Sequence, residues 1–296
     1  MIVLMEKVVI YLALVLFGLC LGSFAGAMVW RLRARQLVTD KADHEEYDKD
    51  EYTRLKKLTT GKTVNDRSRC LHCSYELRWY DLVPLVSWVS LRGKCRQCHT
   101  PIGYLEPLIE LGTMLLFVLS YAFWPYPLDT TLEIVRFVIW LIAGVGLAML
   151  FAYDTKWFLL PDKVNLTIIG LGVVSAAVVV LQSADRLGAL LTIIVGAVIL
   201  SGLYLVLYVI SRGRWIGFGD IKLGLGLALL LADWRLAFIA LFAANLIGCL
   251  FVIPAMVSGK LQRDSHVPFG PLLILGFVVA QLGGAYLIET FLGTMF

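Results

Sequence analysis

Apolar residues along this chain come in long unbroken runs separated by short polar punctuation. The runs lie near 8–30, 106–124, 132–152, 164–182, 188–210, 221–232, 235–257 and 271–293. About 20 apolar residues carry a helix across a bilayer, so eight membrane helices are expected. The sixth run is the shortest, and it spans only if Gly217 to Asp220 also enters the bilayer. The predicted class is an all-α polytopic membrane protein.

Composition agrees: of 296 residues, 59% are hydrophobic and 16% charged, too little charge for a soluble domain of this length. Gly22, Ser23, Ala25, Gly26 and Ala27 in the first run imitate a signal-peptide cleavage site. The run is too long for a signal core, however, Lys7 is balanced by Glu6, and Arg31, Arg33 and Arg35 follow it. These features predict a retained anchor with its amino end outside. The inner loops are then 31–105, 153–163, 211–220 and 258–270. Of the 26 Lys and Arg, only Lys7, Arg136, Arg186 and Arg235 fall on the outer side. The net charge of +4 therefore reports orientation, and no nucleic-acid partner is implied.

Polarity concentrates in 31–105, where a small cytoplasmic domain is expected. From Gln36 to Asp66 the chain is dense in charge, which fits a solvated spacer and alternatively a charged helix. Beyond it stand Cys70-Leu71-His72-Cys73 and Cys95-Arg96-Gln97-Cys98, two C-x-x-C pairs separated by 21 residues. That spacing matches a zinc ribbon with Cys70, Cys73, Cys95 and Cys98 as four thiolate ligands, a closed structural Zn2+ site. Disulfides are the competing reading, disfavoured in a reducing compartment. Four cysteines complete a tetrahedron, so His72 and His99 are expected at the surface. His44 and His266 have no evident partner, and Cys20 and Cys249 are expected to pack inside apolar helices.

Ionisable groups at the ends of apolar runs are costly and so mark candidate chemistry. Asp154 closes the third run, and Asp220 closes Gly217-Phe218-Gly219-Asp220 before the sixth. Two carboxylates brought together hydrolyse a peptide bond when one is ionised and the other protonated, a division that mutual repulsion produces. Gly217 and Gly219 would let an extended substrate approach the backbone beside the acid. The alternative for Asp220 is a helix cap, stabilised by the positive dipole end. It explains Asp154 less well, since a carboxylate at a helix carboxyl end opposes the dipole. Asp162, after Leu160-Pro161, is expected to be an amino cap. Glu106 and Glu110 are expected to be dipole-matched acids or partners of an inner-loop Arg.

Taken together these motifs resemble the bacterial type IV prepilin peptidases, a family of bifunctional leader peptidases and N-methyltransferases of the G-x-G-D aspartic type. The resemblance rests on Gly22-Ser23-Phe24, Trp30-Arg31-Leu32, the two cysteine knuckles, and Glu106-Pro107-Leu108-Ile109-Glu110. It continues through Asp154 with Leu160-Pro161-Asp162, Gly217-Phe218-Gly219-Asp220, and Pro268-Phe269-Gly270-Pro271. It implies an inner-membrane endopeptidase with Asp154 and Asp220 as catalytic pair, cutting the basic leader from prepilin-like substrates at the cytoplasmic interface. It also implies methylation of the new amino terminus from S-adenosylmethionine, although no glycine-rich cofactor loop stands in the sequence. Arg33 occupies a position where the family usually has Pro, and 36–66 is longer than typical. The expected organisation is a first helix at 1–30, a cytoplasmic domain at 31–105 and a peptidase domain at 106–296. A peptidase without methylation, a non-catalytic pilus-assembly component and an ion-coupled transporter are the alternatives.

Overall fold

The computed structural model describes residues 2–59, 67–259 and 267–292. His266 and residues 60–66 of the charged stretch lie outside them. The described residues are helical and irregular, with isolated bridges in place of sheets. They fall into two compact units, Met1–Val118 and Leu119–Phe296.

In the first unit α1 (Ile2–Ala42) continues well past its apolar run. The following charged stretch is not a simple spacer, contrary to expectation. Its residues Lys49–Leu55 form α2, with Leu55 and Glu51 buried. Leu37 and Ala34 of α1 are buried as well. The Arg33 guanidinium donates to Glu51 Oε2 from Nε and Nη2 at 2.9 and 2.7 Å. One aliphatic residue and one buried ion pair thus order a segment whose average composition reads as solvated. A one-turn helix α3 (Val86–Ser90) and most of α4 (Leu105–Ala122) complete the unit. Glu106 stands in the first turn of α4, where an acid matches the helix dipole. Glu106 accepts from Trp30 Nε1 at 2.7 Å, and Glu110 accepts from the Leu85 N–H at 2.8 Å.

The second unit holds α5 (Thr131–Trp157), α6 (Asp162–Gln182), α7 (Arg186–Ala197), α8 (Leu203–Ser211), α9 (Phe218–Leu231), α10 (Trp234–Val257) and α11 (Phe269–Leu292). A single π turn at Val198–Gly202 joins α7 to α8, so these two make one span. Seven helices among the described residues are long and apolar enough to cross a membrane. The missing eighth is α9, whose 14 residues reach only about 21 Å against a hydrocarbon core of about 30 Å. Nine of them are buried, so α9 is an interior helix whose solvent is protein.

Close backbone approach makes that interior position feasible. A Cβ on Gly226 of α9 would lie 2.8 Å from Ile168 of α6, and one on Gly172 would lie 3.0 Å from the Gly226 carbonyl. Small residues replace a hydrophobic driving force between helices in lipid by intimate van der Waals packing. The π turn grips α9 from another side, where Ser201 Oγ donates to the Ile221 carbonyl at 2.9 Å. Such turns recur where a helix must reposition functional groups. Cys20 and Cys249 point outward from their helices and do not fill the core.

Candidate active site and metal centre

Asp154 sits in the last turn of α5 and is 5% exposed; Asp220 occupies the third position of α9 and is 9% exposed. Each is answered by a backbone donor at a helix amino end. Asp220 Oδ2 accepts from the Gly217 N–H at 3.2 Å, capping its own helix. Asp154 Oδ2 accepts from the Gly270 N–H at 3.0 Å, in the first turn of α11. The dipole of α5 opposes a charge on Asp154, but that of α11 supports it. The sequence hid this compensation because the donor lies 116 residues away.

Leu160 links the two surrounding backbones. A Cβ on Gly219 would meet Leu160 Cβ at 2.9 Å, and one on Gly270 would meet Leu160 Cδ2 at 3.2 Å and Asp154 Oδ2 at 2.8 Å. Neither Gly217 nor Gly219 is among the positive-φ glycines, and Gly217 has ordinary extended geometry. At position 219 the absent side chain therefore serves close packing against Leu160, not an unusual turn. Asn165 of α6 is completely buried and donates from Nδ2 to the Gly219 carbonyl at 3.3 Å. At the exposed rim, Lys222 Nζ donates to Asp162 Oδ1 at 2.6 Å and lies 4.9 Å from the Phe218 ring centroid. Asp162 is thus the first residue of α6, after an N-cap at Pro161, and pairs with a lysine instead of capping.

Sequence reasoning missed Gly270, Leu160, Asn165, Ser201 and Lys222 as neighbours of the pair. Pro268-Phe269-Gly270-Pro271 was visible as a motif without a role. Asn165 carried a weak signal as a polar residue one turn after Asp162 in an apolar helix.

In the first unit the two knuckles are conformational copies. Cys70 N–H bonds to the Tyr75 carbonyl and Cys95 N–H to the Thr100 carbonyl, both at 2.9 Å. Ser74 and His99 take matching left-handed conformations, φ 61° and 55°. All four thiol sulfurs lie within 4.8 Å of one another, with Cys70 to Cys98 at 3.8 Å and Cys73 to Cys95 at 3.9 Å. A tetrahedral ion with metal–sulfur bonds of about 2.3 Å requires sulfurs about 3.8 Å apart, so the donor set fits zinc. Burial pushes the Cys70 thiol up to about 12, whereas a hydrogen bond from the Thr100 side chain brings Cys98 down to about 6. A cation among the sulfurs would favour thiolate at all four positions. His72 and His99 are exposed beside the knuckles, and His44 is exposed too.

Profiles of known protein families match both parts of the chain. The profile for the bacterial peptidase A24 N-terminal domain matches residues 16–124, and that for the type IV leader peptidase family matches 141–253. The type 4 prepilin-like proteins leader peptide-processing enzyme of Escherichia coli O78:H11 is 30% identical over 262 residues, covering 88% of this chain and 88% of the relative. The chain belongs to the type IV leader peptidase family. Another family member, the prepilin leader peptidase/N-methyltransferase of Aeromonas hydrophila, is 30% identical over 277 residues, 93% of this chain and 91% of its own length. A protein of the same name from Pseudomonas aeruginosa is 29% identical over 283 residues, covering 95% and 93% respectively. No solved structure gives a significant match. Both aspartates fall within the leader-peptidase match and all four cysteines within the N-terminal one, while Gly270 lies beyond either.

Proposed function

We propose that this protein removes the basic leader from prepilin-like substrates and then methylates the exposed amino terminus, as the names of its relatives imply. The observation that carries the peptidase reading is the buried pair Asp154 and Asp220, each held by a backbone N–H at a helix amino end. One carboxylate takes a proton from water as the water oxygen attacks the scissile carbonyl. The other, protonated, donates a hydrogen bond to that carbonyl. As the C–N bond breaks, a proton passes to the leaving amine, and the pair regains its single shared proton. With the amino end outside and the basic loops inside, the pair would meet its substrate where the apolar pilin helix enters the cytoplasm.

The four cysteines would hold structural Zn2+ and so stabilise the fold of the first unit. The donor for methylation would be S-adenosylmethionine; no cradle for it stands out among the described residues, and no residue is assigned to it. The direct test is cleavage of a prepilin by the purified protein carrying Asp154→Asn or Asp220→Asn. Loss of cleavage in both, with an unchanged elution profile, is expected. Full activity in either variant would remove the dyad.

A further inference from the structure

Apart from the carboxylate site, the most unusual backbone lies in residues 82–89 of the first unit. Leu85 has φ 56° and ψ −45°, a tight three-residue turn that non-glycine residues rarely adopt. The turn is held by Glu110, whose Oε2 accepts the Leu85 N–H at 2.8 Å. Glu110 stands five residues beyond Leu105, the first residue of α4, or about 7 Å along its axis. On its other side a Cβ at Gly22 would come within 2.6 Å of Glu110 Cα. Gly22 belongs to the apolar run of α1, two turns before Trp30. The segment is therefore folded down beside two spans, level with their apolar parts.

Its outward face is apolar. Val86 and Val89, one turn apart on α3, are 63% and 67% exposed, with Leu82 and Val83 also exposed beside them. Leu108, Leu111 and Leu115 of the spanning helix α4 are exposed as well. Trp79 and Tyr104 flank it, and exposed Arg92 and Lys94 follow it in the chain. Amides here have partners without water: Val86 bonds to the Pro84 carbonyl, Ser87 to Val83, and Val89 to Leu85. Internally bonded amides such as these, an apolar face, and aromatic and basic flanks suit a monotopic element at a lipid boundary.

We propose that residues 82–89 form a wedge seated among lipid headgroups and upper acyl chains, fixing the four-cysteine module to the membrane surface. Lipid is the occupant favoured, because Glu110 and Gly22, beside which the segment is folded, belong to spanning stretches of α4 and α1. The wedge does not depend on the peptidase reading.

The test places photoreactive p-benzoylphenylalanine at position 86 or 89 of the full-length protein in its native membrane, with positions 72 and 99 on the cysteine knuckles as controls. Lipid adducts at 86 and 89, several-fold above those at 72 and 99, are expected by mass spectrometry. Equal lipid labelling at all four positions, or adducts solely to protein, would overturn the proposal. Should those variants fail to accumulate, Val86→Cys and Val89→Cys in a Cys20→Ser, Cys249→Ser background decide the matter. A membrane-impermeant maleimide should label them several-fold more slowly than a cysteine replacing His72 in inverted vesicles. Equal rates would sink the wedge.

Discussion

Gly270 donates its backbone N–H to Asp154 Oδ2 at 3.0 Å, joining the start of α11 to the end of α5 across 116 residues of chain. The same glycine leaves no room for a side chain, since a Cβ would lie 2.8 Å from that oxygen. Gly270→Ala is therefore expected to displace one carboxylate of the pair or lose its donor. A buried charged acceptor that loses a hydrogen bond costs about 1.5–3 kcal/mol, corresponding to roughly 10- to 100-fold in rate. Cleavage kinetics on a model prepilin would show this as a fall in kcat. A variant with undiminished kcat would mean that the Gly270 contact does not set the Asp154 geometry.

Asn165 makes a similar case from the opposite side. Its amide is buried and holds the Gly219 carbonyl next to Asp220. Asn165→Ala should destabilise the second unit by about 1–2 kcal/mol and slow cleavage, because a buried carbonyl loses its donor. The metal content of the first unit should not change. Thermal unfolding, cleavage and metal analysis on one preparation would separate these effects, and wild-type stability would rule out the contact as structurally significant.

Much of this architecture was legible in the sequence because lipid imposes a simple code of long apolar runs. The code failed at α9, where protein takes the place of lipid and a helix of 14 residues is long enough. It failed again at residues 49–55, where Leu55 and the Arg33–Glu51 pair outweigh a charged average. Asp154 and Asp220 stood out as acids bordering apolar runs, and their donors did not. Gly270 and Asn165 act through a backbone N–H and a side-chain amide, and their partnerships exist only after distant helices pack.

The Arg33–Glu51 pair offers a third prediction. The two side chains are 12% and 9% exposed, so removing one strands the other in a poorly solvated place. Breaking a buried ion pair costs about 3–5 kcal/mol, whereas apolar replacement of both partners is often neutral. Arg33→Leu should therefore release α2, seen as faster amide exchange over Lys49–Leu55. The double variant Arg33→Leu, Glu51→Leu should restore much of the protection. Exchange as slow in the single variant as in the wild type would show that Leu55 alone docks α2.

Chelation of zinc should act locally. With four sulfurs within 4.8 Å, loss of the cation leaves thiolates to repel or reprotonate, and both knuckles lose their common anchor. Limited proteolysis is expected to open residues 68–103 first, before any cut in Leu119–Phe296. Unchanged resistance of 68–103 after complete metal removal would mean that backbone bonds suffice to hold the knuckles.

Asp154 and Asp220 are expected to act as one coupled unit. If Asp154 and Asp220 share one proton and act on one water, losing either removes the same chemical step. Their effects on kcat should then be far from additive, as for residues that work as a unit. Asp154→Asn and Asp220→Asn should each lower cleavage to near the uncatalysed level, and the double variant should be no slower than either single one. A double variant whose loss equals the product of two smaller single losses would describe independent roles. In that case the Gly217 and Gly270 bonds would be read as helix caps. Rates measured for all four forms in the same lipid, with folding monitored by elution profile, decide between a shared site and two separate caps.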